Sequence, residues 1–341
     1  MKNKFWIKVR GGAILAVVLI HCKNGIEYPR ESFSYQYWVS LRQVINFPVA
    51  IFIFLSGYFT NIIKVKKSYK SYIFERIKRL YIPFLIWSCF YFLIRTPFMN
   101  KGEILNLKVP IKILLGLYSG PLYYILVLLQ LVILLPFIIK IIEKRNILSK
   151  SLYLITPFYL CLLYWYTIKF GKNPGVGLFY ATLFPAWFVF YYLGVWLKIR
   201  GNKIIFNKKN SIIIIFLALL LSMVESNILV KMNSTMYISQ IKLSSFLYSI
   251  SLISLFLNFQ DTYSKRFKIL EYLGENSYGI YFVHVFFIIL FSKVLNNINI
   301  IKDSLIIFQS LQLTLTLISS CCIIHITKKR LGSSKSKMLG F

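Results

Sequence analysis

Apolar runs of about 20 residues recur along the whole chain, with short basic connections between them, and this alternation constrains the fold more than anything else in the sequence. Twenty residues of helix are what a bilayer core demands, and in lipid every backbone amide must find its partner inside the segment or across a closed barrel. Runs of this length without two-residue alternation point to helices. Hydropathy windows give ten, at about 7–24, 43–63, 80–96, 119–139, 151–168, 178–197, 211–230, 240–258, 274–292 and 304–327. The chain therefore reads as an all-α polytopic membrane helical bundle of about ten transmembrane helices. Residues 1–341 form a single integral membrane domain with no soluble module, low-complexity tract or internal repeat. Apolar residues make up 57% of the sequence, above the 45–50% usual for soluble domains.

The charge pattern sets orientation and excludes one class of function. Lys and Arg number 41 against 10 Asp and Glu, a net charge of +31. That excess would suit a nucleic-acid binder, but the cations lie between membrane-length runs, so nucleic acid is not the expected partner. With an even number of spans both termini share a side. That side carries 28 of the cations and the opposite loops 13, so both termini are expected in the cytoplasm. The first run carries Arg10 and is followed by no small-residue cleavage site, which argues for a retained span rather than a signal peptide. Five cysteines (22, 89, 161, 321 and 322) show no metal-ligand spacing, and neither a metal site nor a disulfide framework is expected.

Chemistry inside such a bundle must come from its few polar intramembrane residues, which are costly there and mark function by default. In "RGGAILAVVLIHC" (10–22), Arg10 and His21 are eleven residues apart. In a helix that is within about 20° of three full turns and a rise of about 16 Å, so both fall on one face, at the boundary and near mid-membrane. Gly11 and Gly12 leave space beside the arginine for a ligand or another backbone. The plainer alternative is an arginine reaching lipid headgroups and a histidine bonded to a neighbouring helix. "GENSYGIYFVH" (274–284) brings His284 to the same depth from the same side, with Ser277 two turns before it on one face. Two imidazoles at one level can line one cavity. His325 lies among Lys328, Lys329 and Arg330 and is not expected to take part. In "SYIFERIKRLYIPFLIW" (71–87), Arg76 and Arg79 share a helix face just before the third span, an arrangement suited to phosphates or to lipid headgroups.

Together these segments resemble the acyltransferase-3 family of bacterial integral membrane acyltransferases. The resemblance rests on Arg10 and His21 with ten residues between them, "FIFLSGYF" (52–59), "RIKRLYIPF" (76–84), "LYYILVLL" (122–129) and "SYGIYFVH" (277–284), in register over most of the chain. It implies transfer of an acetyl or similar group, such as succinyl, from cytoplasmic acetyl-CoA to a hydroxyl of a cell-surface polysaccharide or lipid-linked glycan, in the inner or plasma membrane. Membrane lipids and polysaccharide assembly machinery would be the partners. It further implies that Arg10, Arg76 and Arg79 hold the donor, that His21 and His284 are catalytic, and that Tyr123, Tyr124, Ser277 and Tyr278 bind substrate. Many members carry an aspartate three residues before the first-span arginine; here the residue is Ile7. Some relatives carry a soluble hydrolase-like domain, and none is expected here.

Within that frame, neutral His21 either takes a proton from the acceptor hydroxyl or carries the acyl group covalently, and His284 either orients His21 or binds the acceptor. The first outer loop, 23–43, offers Glu27, Glu31, Tyr28, Phe33, Tyr35, Tyr37 and Trp38 as a sugar-facing surface or as an interfacial aromatic belt. Glu225, near the outer end of the seventh span, is a similar candidate. The competing function is a polysaccharide exporter or flippase without acyl-transfer activity.

Overall fold

The computed structural model describes residues 2–170, 179–201, 205–261 and 267–341. Helices dominate, and the described residues contain no strand. The principal helices are α1 (Lys2–His21), α2 (Phe33–Ile45), α3 (Pro48–Tyr58), α4 (Tyr69–Arg95), α5 (Tyr123–Lys144), α6 (Ile155–Phe170), α7 (Phe188–Arg200), α8 (Lys208–Lys231), α9 (Leu243–Phe259), α10 (Lys268–Glu275), α11 (Ser277–Leu295) and α12 (Leu305–Ser336). Among the described residues, eight segments are long and apolar enough to cross a membrane. Their outer faces are greasy: Ile212, Ile213, Phe216, Leu217, Leu220, Leu221, Val224 and Ile228 of α8 are all exposed, as lipid contact requires. The chain is an all-α polytopic bundle.

Several expected boundaries shift for physical reasons. The second span does not begin at 43. Helix starts at Phe33, where the Ser32 hydroxyl accepts the Tyr35 amide, and runs to Tyr58 with one break at Asn46 and Phe47, ahead of Pro48. Most of the expected outer loop 23–43 is therefore helical. Likewise α4 begins at Tyr69 under a Ser68 cap, eleven residues before hydropathy becomes strong, so Arg76 and Arg79 lie inside a continuous helix. The sixth expected span, 178–197, is broken. Its first residue, Leu178, lies outside the described residues, and a short helix and a 3-10 turn precede α7. The side chain of Gln130 bonds both sides of that break, donating to the Thr182 carbonyl and accepting the Phe184 amide. The ninth span splits at Asn276 into α10 and α11.

Two glycine seams hold the centre. A Cβ on Gly11 would stand 2.0 Å from the Leu270 carbonyl oxygen, and one on Gly274 would stand 1.9 Å from that of Ile7, so α1 and α10 touch backbone to backbone. Gly57 of α3 and Gly194 of α7 repeat the device, with Cβ positions 2.4 and 2.3 Å from the Tyr191 and Phe54 carbonyl oxygens. The space left by Gly11 thus admits another backbone, whereas Gly12 faces nothing within 4 Å. Gly11→Ala is expected to destabilise the detergent-purified protein by about 1–3 kcal/mol or more, while Gly12→Ala leaves its thermal midpoint unchanged. Equal midpoints for the two variants would refute the seam.

The two ends of the bundle are closed by different contacts. At the cation-rich end, the Arg10 side chain meets Ser277, and the Tyr278 hydroxyl donates to the Arg79 and Leu80 carbonyls at 3.4 and 3.3 Å. At the other end the backbone following α1 meets α12, and a segment at 235–241 is stitched to the α2–α3 break. Arg42, Gln43 and Asn46 donate to carbonyls of residues 237–239, and Gln240 accepts the Val49 amide at the start of α3.

Candidate active site

The helical pitch of α1 carries Arg10 and His21 to one face, and that face borders a cavity of about 610 Å³ in the centre of the bundle. The cavity reaches from Arg10, Arg76 and Arg79 at the cation-rich end to Thr235 and Ile238–Ile241 at the opposite end. Tyr123, Tyr124, Ser277 and Tyr278 also line it. Seven of the ten residues expected from the sequence therefore share one wall with His21, whose ring is open to the space.

The other two need separate treatment. His284 does not line the cavity: it is 0% exposed and packs behind His21, with ring centroids 5.4 Å apart at 46°. The expectation that both imidazoles line one cavity is corrected accordingly. His284 Nδ1 lies 3.1 Å from the Ile280 carbonyl, which only accepts, so this nitrogen carries the proton and donates. Nε2 is left as an unprotonated acceptor, buried and without a hydrogen-bond partner. Glu27 sits exposed in the turn after α1 and is not among the residues lining the cavity. Of the loop aromatics proposed as sugar-facing, Tyr35 and Trp38 are buried in a small cluster with Leu305. Because residues 33–45 are helical, side chains three and four apart, Tyr35, Trp38, Val39 and Arg42, turn inward, and the aromatics do not form one flat surface.

Two of the three guanidiniums at the cation-rich mouth are held by hydroxyls. Arg10 Nη2 donates to Ser277 Oγ at 2.8 Å. Arg76 Nη2 donates to Ser56 Oγ at 3.1 Å, and its Nε is buried without a partner. Glu75 turns away to pair with Lys64 at 2.5 Å. Among the described residues no carboxylate pairs with Arg10, Arg76 or Arg79, and no Asp or Glu lines the cavity. Positive charge gathered in a low-dielectric space without counter-charge attracts anions strongly.

Rings floor the site. Phe52, Tyr124, Tyr281, His284 and His21 follow one another at centroid distances of 6.3, 5.6, 6.2 and 5.4 Å. The Tyr281 hydroxyl donates to the Pro121 carbonyl at 2.6 Å, tying α11 to the turn that leads into α5. Sequence reasoning missed Tyr281, Ser56, Gln240 and Arg42. Tyr281 lies one turn before His284, and Ser56 sits within "FIFLSGYF", so spacing could have found both. Arg42 sits in a stretch expected to be loop, where one more cation carries no signal. Glu225 and His325 lie outside the cavity; Glu225 accepts hydrogen bonds from Tyr164 and Ser244 and stands 3.9 Å from Lys242.

Such a molecule is a multi-pass membrane protein with an acid-free polar passage, three guanidiniums at one mouth and an open imidazole within. The chain belongs to the acyltransferase-3 family: the family model for this acyltransferase domain matches residues 4–326, nearly its whole length. It is a membrane acyltransferase. No curated protein and no solved structure matches it.

Proposed function

We propose that the protein is an O-acyltransferase that moves an acetyl or similar group from cytoplasmic acyl-CoA to a hydroxyl of a cell-surface polysaccharide or lipid-linked glycan. Its place would be the bacterial plasma membrane, among lipids and beside polysaccharide assembly machinery. The observation that carries this reading is a single cavity lined by Arg10, Arg76 and Arg79 at one end and by the 235–241 segment at the other, with His21 opening into it.

The guanidiniums suit the donor's phosphates through charge-assisted hydrogen bonds, and Arg76 Nε, buried and unpartnered, is a donor left free for one. The thioester then reaches inward to His21. There the imidazole takes the proton of the acceptor hydroxyl, whose oxygen bonds to the acyl carbon. The carbon–sulfur bond breaks, and the thiolate leaves with the proton that His21 returns. His284, donating through Nδ1 to Ile280, presents Nε2 as an acceptor for a ring N–H of His21. That would fix which His21 nitrogen faces the acceptor. His284 is thus a positioning residue. Tyr123, Tyr124, Ser277 and Tyr278 shape the path of the acyl arm.

Proteoliposomes charged with labelled acetyl-CoA and total surface glycan test this proposal. Label on glycan hydroxyls is the expected result. Glycan movement without label would replace the enzyme with an exporter.

A further inference from the structure

We infer that the outer half of the passage contains an anion subsite centred on Arg42, which takes a carboxylate or phosphate group carried by the acceptor; the assignment of that group to an acceptor rests on the acyl-transfer reading above. Arg42 is 9% exposed and lines the same cavity as His21. Its Nη1 donates to the Ile20 carbonyl at 3.2 Å and its Nη2 to the Ile238 carbonyl at 2.7 Å. These contacts hold the guanidinium beside the residue that precedes His21 but use only two of its five N–H groups. Its Nε is buried with no partner.

A bracket between the end of α1 and the 235–241 segment would explain the two carbonyl contacts, but it would not explain the missing counter-charge. Buried charges are ordinarily paired or fully hydrogen-bonded, since an uncompensated one is strongly destabilising. The same region shows how this chain treats a purely structural cation. Lys242, 0% exposed, is ringed by Gln43 Oε1 at 2.5 Å, Ser226 Oγ at 2.8 Å and Ser222 Oγ at 3.2 Å, with the Glu225 carboxylate at 3.9 Å. Arg42 has no such set. Among the described residues no carboxylate pairs with it and no Asp or Glu lines the cavity, to whose wall Ser239, Gln240, Tyr123 and Tyr180 contribute neutral polar groups.

The planar fork suits a two-oxygen anion, and the three inner guanidiniums stand at the opposite mouth, where the donor enters. An acidic sugar or a sugar phosphate placed on Arg42 sets its neighbouring hydroxyls beside the imidazole. A neutral sugar leaves the guanidinium uncompensated.

Binding in lipid nanodiscs, without acetyl transfer, tests the subsite. Glucuronate, glucose 1-phosphate and glucose are titrated by thermal stabilisation against wild type, Arg42→Gln and Arg42→Lys. Desulfo-CoA fills the inner mouth, and an Arg76→Gln/Arg79→Gln background repeats the series without relying on CoA. At least one of the two anionic sugars is expected to bind roughly ten- to hundredfold more tightly than glucose. That preference should disappear in Arg42→Gln and persist in Arg42→Lys. The tighter of the two identifies carboxylate or phosphate as the group recognised. Equal binding of all three sugars by the wild type overturns the subsite, as does a preference that survives in Arg42→Gln. If Arg42→Gln does not fold, the wild-type comparison and Arg42→Lys decide. Because no acyl group is present, the subsite and the acyl-transfer reading fail or stand separately.

Discussion

Alanine in place of His21 is expected to lower acyl transfer by two to four orders of magnitude, the span that one positioned acid–base group commands, with membrane insertion and protein level unchanged. The side chain ends α1 and opens into the cavity, so its removal leaves no apolar void and breaks no hydrogen bond among the described residues. Loss of activity in a stable protein would therefore report on chemistry. A well-expressed variant that acylates glycan at the wild-type rate would remove His21 from the mechanism. His284→Ala is a different experiment, since it empties a fully buried site and would confound stability with activity. His284→Gln or His284→Asn keeps a polar side chain there and is the better companion.

Replacing Arg76 and Arg79 together by glutamine is expected to raise the apparent KM for acetyl-CoA roughly a hundredfold or more, since each charge-assisted hydrogen bond contributes about 1.5–3 kcal/mol. The turnover number at saturating donor should move far less, because neither guanidinium is expected to touch the reacting carbonyl. Among the described residues Arg79 makes no side-chain hydrogen bond, and the Arg76 hydroxyl partner, Ser56, can accept from glutamine as well. Folding should thus tolerate the change. A double variant with an unaltered donor KM would relocate the phosphates elsewhere. One with normal KM and collapsed turnover would move these arginines from binding to catalysis.

The parts of this architecture visible in the sequence are those written in periodicity. Hydropathy located the long spans, and a helical count of eleven put Arg10 and His21 on one wall. Three residues did the same for Arg76 with Arg79, because a helix converts spacing into direction. What periodicity cannot carry was lost. The break at Asn46 and Phe47 is held open by Gln240, almost 200 positions away, and nothing local announces such a partner. Arg42 looked like one more loop cation because its burial depends on carbonyls at Ile20 and Ile238. The relative depth of the two imidazoles was legible. Which of them faces the cavity was not, since that depends on how α1 and α11 are rotated against each other. Glu27 failed as a candidate for the opposite reason: composition favoured it, and composition does not know where a turn points.

The contact of α1 with α10 through Gly11 and Gly274 has one further consequence. With carbonyls of each helix lodged where a methyl would have stood on the other, α1 can neither slide nor rotate without collision. The axial stagger between its guanidinium and its imidazole, about 16 Å at helical rise, is therefore a rigid gauge built into the scaffold. Under the proposed reaction, thioesters would be sorted by reach: a truncated donor lacking the nucleotide could occupy one end of the gauge but never both, and would be turned over poorly however reactive its acyl group.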